Sequence, residues 1–401
     1  MPSKQLKTAV IGVGHLGQHH ARNYTEIDGS KLVAVVDNDL ERAKEVAGRF
    51  KGVKALDDYR ELSEVDAVSI VTPTVTHFEV SKYFLEKDVN VLVEKPITET
   101  VDQARELVDI AYGRDVVFQV GHIERFNPAA SAIEGMAMRP KFMEVHRLAP
   151  FSFRSTDVSV VKDIMIHDLD IILHFAASQV VDVHAVGFPV ITNMDDIANA
   201  RIQFASGCVA NVTASRLSVQ PMRKIRLFTT NAYVSLDYLN KRAVLIKASP
   251  KLLEEVGKMD DFDISRATPS VFGDLLSYEE VEMDDYEPLK AELTSFLDAI
   301  RTGSNPVVTG SDGLRALELA ERISQSIRGH DWFADEHDAP ETVTSPPTPP
   351  PTDTPDTEDK TPTKKNASKK KTSKKKKTAG KKKSSRPSSG KKSTKSSRKK
   401  T

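Results

Sequence analysis

The chain has 401 residues, 57 Lys+Arg against 57 Asp+Glu, and one cysteine, Cys208. That length carries two domains with cores of their own, and a single thiol excludes an intrachain disulfide and points to a reducing compartment. No apolar run is long enough to span a membrane and "TAVIGVG" is too short for a signal peptide, so a cytoplasmic protein without a transmembrane segment is expected.

Residues 7–121 alternate short apolar runs with helical patterns. The predicted strands are "TAVIGV", "KLVAVVD", "AVSIVTP", "NVLVEKP" and "VVFQVGH", and helices start near Leu16, Leu40, Thr76 and Val101. Strand–helix alternation with continuous apolar strands predicts an α/β fold: a doubly wound parallel sheet of Rossmann type, in a domain over 1–122.

The first strand runs into "VIGVGHLGQHHA", with Gly12, Gly14 and Gly17 in the turn before a helix. Such a turn brings backbone amides and a helix N-terminus to a pyrophosphate, so His15 and Leu16 within it join the candidate cofactor contacts. Asp37 ends the second strand, 20 residues after Gly17, a spacing that suits hydrogen bonds to the adenosine ribose. A carboxylate there repels a 2′-phosphate, which favours NAD over NADP; Arg42 nearby moderates that preference. The third and fourth strands end in "TPTVTH" and "VEKP". Ligands bind at strand C-termini in such sheets, so Thr72, Pro73, His77 and Glu94 are expected beside the cofactor and Lys95 beside its reactive end.

After Gly121 the texture changes. "GHIERFNPA" leaves the last strand, and His122, Arg125 and Asn127 are candidate substrate contacts, with Arg125 equally able to pair with a neighbouring acid at the joint. Residues 140–150, 180–190, 197–216 and 224–248 read as longer strands, predicting an α+β domain over 123–335 built on a mostly antiparallel open sheet. It is entered through "VKDIMIHDLDIIL", where Asp163, His167, Asp170 and His174 recur at helical spacing along one stripe. A metal site is a weaker reading of that stripe than acid–base chemistry, because no cysteine ligand accompanies it; no metal is expected. Asp163 also suits a helix cap and His174 a structural role. Two amphipathic helices, "LKAELTSFLDAIRTG" and "GLRALELAERISQSI", close the folded part.

Together, "GVGHLGQHHA", Asp37, "TPTVTH", "EKP" at 94–96, the Asp163/His167 pair and "GLRALELAERISQSI" resemble the Gfo/Idh/MocA oxidoreductase family over roughly residues 5–330. The resemblance implies a dehydrogenase in which Lys95, Asp163 and His167 surround a reacting sugar carbon, a cis Lys95–Pro96 bond, and assembly into dimers or tetramers. Within it, "GHIERFNPA" is most similar to UDP-N-acetylglucosamine 3-dehydrogenases, implying a sugar-nucleotide substrate oxidised ahead of amination, as in lipid A-type pathways. A free polyol such as inositol or glucose is the alternative substrate. A dinucleotide-sensing binder without catalysis is the alternative class. Alcohol oxidation needs a base for the hydroxyl proton; His167 suits that task by its ordinary pKa, and a desolvated Lys95 could share it. The sequence leaves the choice between them open.

The zero net charge conceals a division. From Glu341 onward 20 Lys+Arg face 5 Asp+Glu, which leaves 37 basic and 52 acidic residues before it. Residues 336–401 are Pro/Thr-rich and then Lys/Ser-rich, a composition too poor in apolar residues to fold and therefore expected to be disordered. Such a tail attracts nucleic acid and other polyanions without sequence preference, or folds back over the acidic body.

Overall fold

A computed structural model describes residues 5–134, 136, 138–152, 157–249 and 276–330. The tail expected over 336–401 lies outside the described residues.

The first layer is a six-stranded sheet ordered β3-β2-β1-β4-β5-β6, every pairing parallel. Its strands are β1 (Leu6–Ile11), β2 (Ser30–Val36), β3 (Lys54–Leu56), β4 (Ala67–Ile70), β5 (Asn90–Glu94) and β6 (Phe118–Gly121). Helices α1 (Gly17–Glu26), α2 (Leu40–Ala47), α3 (His77–Leu85) and α4 (Val101–Arg114) connect them. Strand residues such as Val10, Val35, Val68, Ile70 and Val91 are fully buried, as a sheet covered on both faces requires. The edge strand β3 was not foreseen; three residues at the sheet's rim leave no periodic signal.

Past β6 a short 3₁₀ segment (Ile123–Phe126) and α5 (Pro128–Glu134) lead to the second layer. This is an eight-stranded sheet ordered β14-β13-β12-β11-β7-β10-β9-β8, in which β7 (Phe142–Leu148) and β10 (Val209–Ser215) form the one parallel pair. The other strands are β8 (Val180–Phe188), β9 (Ile197–Phe204), β11 (Met222–Phe228), β12 (Ala232–Asp237), β13 (Arg242–Ala248) and β14 (Leu276–Val281). The apolar run over 197–216 folds as the hairpin β9–β10, reversing at Gly207 (φ +79°). Residues 224–248 likewise divide into three strands.

Helix α6 (Ile166–Ala176) covers this sheet's inner face with Leu169, Ile171, Ile172 and Phe175. It is preceded by a π-helical turn, Val161–Met165. The last two helices serve both layers. Helix α7 (Pro288–Thr302) buries Leu289, Leu293, Phe296 and Leu297 against Leu6, Val10 and Val35 of the first sheet. Helix α8 (Gly310–Arg328) sends Leu317 into the first core and Leu319, Ala320, Ile323 and Ile327 into the second. A division at residue 122 thus separates the sheets but assigns to the second part a helix that packs on the first. Among the described residues, no helix is long and apolar enough to cross a membrane.

Candidate active site

The glycine turn opens one end of the site. Gly12 holds φ at +85°, and a side chain there would collide with the Val71 carbonyl; a Cβ on Gly17 would stand 1.9 Å from the Gly12 oxygen. Gly14 differs, with no protein atom within 4 Å of where its Cβ would be, so its backbone is open to an approaching group. The turn forms one wall of a cleft of about 730 Å³, lined also by Asp37, Arg42, Thr72 and Pro73. Asp37 is buried, and its carboxylate accepts the Val13 N–H at 2.9 Å, the Asp39 N–H at 3.1 Å and Arg42 Nη1 at 3.1 Å. A dinucleotide fits this cleft: the turn offers open backbone for phosphates, and Asp37 an anchored acceptor for ribose hydroxyls. His15 and Leu16 stand exposed ahead of α1 rather than lining the cleft.

Other expected contacts have other duties. His77 is buried, with Nδ1 2.8 Å from the Pro96 carbonyl oxygen and Nε2 2.9 Å from that of Thr72. Burial lowers its pKa, so the ring carries a single N–H, donates to one of these two carbonyls and turns its other nitrogen to the second, which sets His77 between two strand-end loops. Glu94 turns away from the cleft towards α1, where His20 Nε2 lies 3.2 Å from its carboxylate. Burial alone would raise the Glu94 carboxyl; His20 and Lys95 outweigh it and hold the group low. Arg125 is spent at the joint, donating to the Val307 carbonyl at 3.3 Å and standing 3.7 Å from Asp170. Asn127 donates to Glu124 at 3.2 Å and accepts the Ala129 N–H at 3.1 Å, capping the start of α5. Arg125 thus makes the pairing at the joint weighed for it beside substrate contact, and Asn127 is held within the segment that links the lobes.

The two lobes meet at Lys95. The Lys95–Pro96 bond is cis. Lys95 Nζ donates to the Asp163 main-chain oxygen at 2.7 Å and to Asp163 Oδ1 at 3.3 Å, across 68 residues of sequence. Asp163 sits in the π-helical turn and makes no cap hydrogen bond there. One turn on, His167 is partly buried and its Nδ1 has no protein partner. Burial first, then the positive charges of Lys95 and Arg147, hold the His167 imidazole well below the ordinary histidine range. It is thus a neutral base at neutral pH, beside an ammonium group able to stabilise developing alkoxide. His174, further along the stripe, is bonded to Glu134 at 2.7 Å, the structural role foreseen for it.

The sequence reading missed a buried ion cluster beneath His167. Arg147 Nε and Nη2 donate to the two Asp168 oxygens at 2.7 and 2.8 Å, and Nη1 donates to Glu124 at 2.8 Å. The signal was available: in "FMEVHRL" the alternation places Arg147 on the inward side with Met143 and Val145, where a charge needs a partner. Glu292 was also missed; it is fully buried on α7 with both carboxylate oxygens unpartnered.

Comparison with known proteins bears on the whole arrangement. Residues 6–122 match the oxidoreductase family with NAD-binding Rossmann fold, GFO_IDH_MocA, and residues 141–235 match the GFO/IDH/MocA C-terminal domain. The chain is 37% identical over 328 residues to UDP-N-acetylglucosamine 3-dehydrogenase of Acidithiobacillus ferrooxidans, covering 80% of this chain and 97% of that one. It is 28% identical to scyllo-inositol 2-dehydrogenase (NAD(+)) of Bacillus subtilis, covering 81% and 94%. A solved structure of the Acidithiobacillus enzyme superposes with a TM-score of 0.71 at 36% identity, covering 80% of this chain and 98% of that one. Levoglucosan dehydrogenase in complex with NADH shares the fold, with a TM-score of 0.69 at 20% identity over 80% and 97% of the two chains. This chain belongs to the Gfo/Idh/MocA family of oxidoreductases.

Proposed function

We propose that the protein is an NAD-dependent dehydrogenase that oxidises the 3-hydroxyl of a UDP-N-acetylhexosamine, a step that prepares the sugar for amination. The observation carrying this reading is the meeting of Lys95, Asp163 and a neutral His167 from two separate lobes. A dinucleotide sensor has no need of that arrangement. The sugar nucleotide is supported by the 37% identity to UDP-N-acetylglucosamine 3-dehydrogenase over 97% of that enzyme's length.

When bound, the nicotinamide accepts hydride from the carbinol carbon. The chain supplies the rest. His167 takes the hydroxyl proton, and the Lys95 ammonium, held by Asp163, stabilises charge on the oxygen. Asp37, anchored by the Val13 N–H, accepts from ribose hydroxyls and repels a 2′-phosphate, so NAD is preferred over NADP by at least about tenfold in kcat/KM. This reading extends to a cytoplasmic homo-oligomer. The second sheet's outer face supports such an assembly, with polar pairs such as Asn199–Thr213 and Arg201–Asn211 open for contact.

The test is reduction of NAD, followed at the reduced-nicotinamide absorbance band, with UDP-N-acetylglucosamine as substrate and a 3-keto sugar identified as product. Turnover of inositol or glucose with none of the UDP-sugar would replace the substrate assignment by the polyol alternative. Equal kcat/KM with NADP would overturn the role given to Asp37.

A further inference from the structure

His122 is 1% exposed, and neither ring nitrogen has a protein partner. Its ring stands edge-on to that of His167, with centroids 6.3 Å apart and planes at 88°. Leaving a buried polar atom unpaired costs about 1–3 kcal/mol, and phenylalanine would fill the same space without that cost. Packing alone therefore gives no reason for a histidine here. The position itself is informative: His122 follows β6 at the crevice, on the lobe opposite the helix that carries His167.

We propose that His122 is the second half of a two-imidazole acid–base unit, receiving from His167 the proton that the substrate hydroxyl gives up. The inference rests on the dehydrogenase reading above. In the oxidation, the carbinol C–H pair leaves as hydride to the nicotinamide of NAD while the O–H proton forms an N–H bond on His167. No direct hydrogen bond joins the two rings, so that bond then breaks as a water between them takes the proton and gives one of its own to His122, which returns His167 to its neutral state before the ketone departs. The groups acting on His122 make the transfer reversible rather than a trap. Burial, Lys95 and Arg125 oppose its protonation, while Asp170 and Glu94 favour it. Asp170, one turn on from His167 along α6, supplies negative charge that favours the cation, and its Oδ2 has no protein partner. His122 acts through His167, so its role is that of a positioning and relay residue.

Three variants test this in the full chain with NAD and UDP-N-acetylglucosamine. His122→Phe keeps the ring's shape, His122→Gln keeps hydrogen bonding without titration, and His122→Gly leaves room for added imidazole. The expected result is a kcat about ten- to a hundredfold lower in Phe and Gln alike, with KM for NAD within about twofold of the parent, and partial recovery of the Gly variant by imidazole. Parent-like kcat in His122→Phe overturns the proposal. So does full activity in His122→Gln, which would mark a purely orienting hydrogen bond, and so does a Gly variant that imidazole leaves unchanged. Failure of the functional reading looks different: the parent itself then reduces no NAD with any sugar nucleotide or polyol.

Discussion

Helix α6 and its π-helical entry contribute to two buried polar clusters built on opposite terms. Asp168 belongs to one in which the charges are paired: Arg147 is held by Asp168 and Glu124, and Glu124 accepts further hydrogen bonds from Asn127 and Arg223. His167 and Asp170 belong to the other, where His167 Nδ1, both His122 nitrogens, Asp170 Oδ2 and both Glu292 oxygens lack protein partners. A satisfied cluster fixes one geometry, because each member would be left unpaired by any shift. An unsatisfied one costs stability and is retained where atoms must remain available to substrate or protons. The difference assigns the first cluster to holding α6 and the second to using it.

Removing His167 should produce the largest effect. His167→Asn is expected to lower kcat by about 10²–10⁴-fold. Its Kd for NAD should stay within about twofold, since the cofactor turn shares no hydrogen-bond partner with it. Lys95→Ala sharpens the point through pH. His167 is held low by burial and next by the Lys95 charge, so in the parent the base form persists below the ordinary histidine pKa of about 6.5. Without the ammonium, protonation sets in at higher pH, and the acid limb of the kcat/KM profile should move upward. An unmoved limb would separate Lys95 from His167 electrostatically and break the second cluster apart.

Arg147→Met addresses the first cluster. It strands the buried Asp168 carboxylate, takes one of three partners from Glu124, and should cost about 3–5 kcal/mol in denaturant unfolding. Adding Asp168→Leu should return much of that loss, because Glu124 keeps its bonds from Arg223 and Asn127. A single variant costing under about 1 kcal/mol would show that the cluster is no clamp, and the contrast between the two would fail.

What could be read from the sequence follows the range of the interactions involved. The cofactor turn and Asp37 were legible because their partners lie within one βαβ unit, at spacings that the backbone dictates. Lys95, Asp163 and His167 come from distant segments, and only a family resemblance foretold their meeting. The partners of His77 and Arg125 were not legible because they are backbone oxygens far along the chain: Pro96 lies 19 residues from His77, and Val307 lies 182 from Arg125. Arg147 and Glu292 were legible in principle. Each interrupts an apolar face, Arg147 at strand period and Glu292 between Leu289 and Phe296 at helical period. The strands β3 and β14 were not, being short or polar enough to leave no pattern.

Glu292 supplies the smallest and most specific test. Burial raises its carboxyl well above the ordinary range, and the negative charges of Glu94 and Asp170 push the same way. The folded protein therefore keeps a proton there that the unfolded chain releases above about pH 4.5. Stability associated with that proton is complete below the unfolded pKa and is lost progressively as pH rises towards the folded one. Glu292→Gln has the shape of the neutral acid and never releases a proton in either state. Its melting temperature should match the parent's near pH 4.5 and exceed it by a few degrees at pH 8, the gap widening steadily between. The buried histidines His122 and His167 run the opposite way, their lowered pKa values costing stability as pH falls below about 6.5, so the two effects are separable in one pH series. A gap that stays flat with pH would mean that Glu292 is ionised and paired in the folded protein, and the second cluster would then be as satisfied as the first.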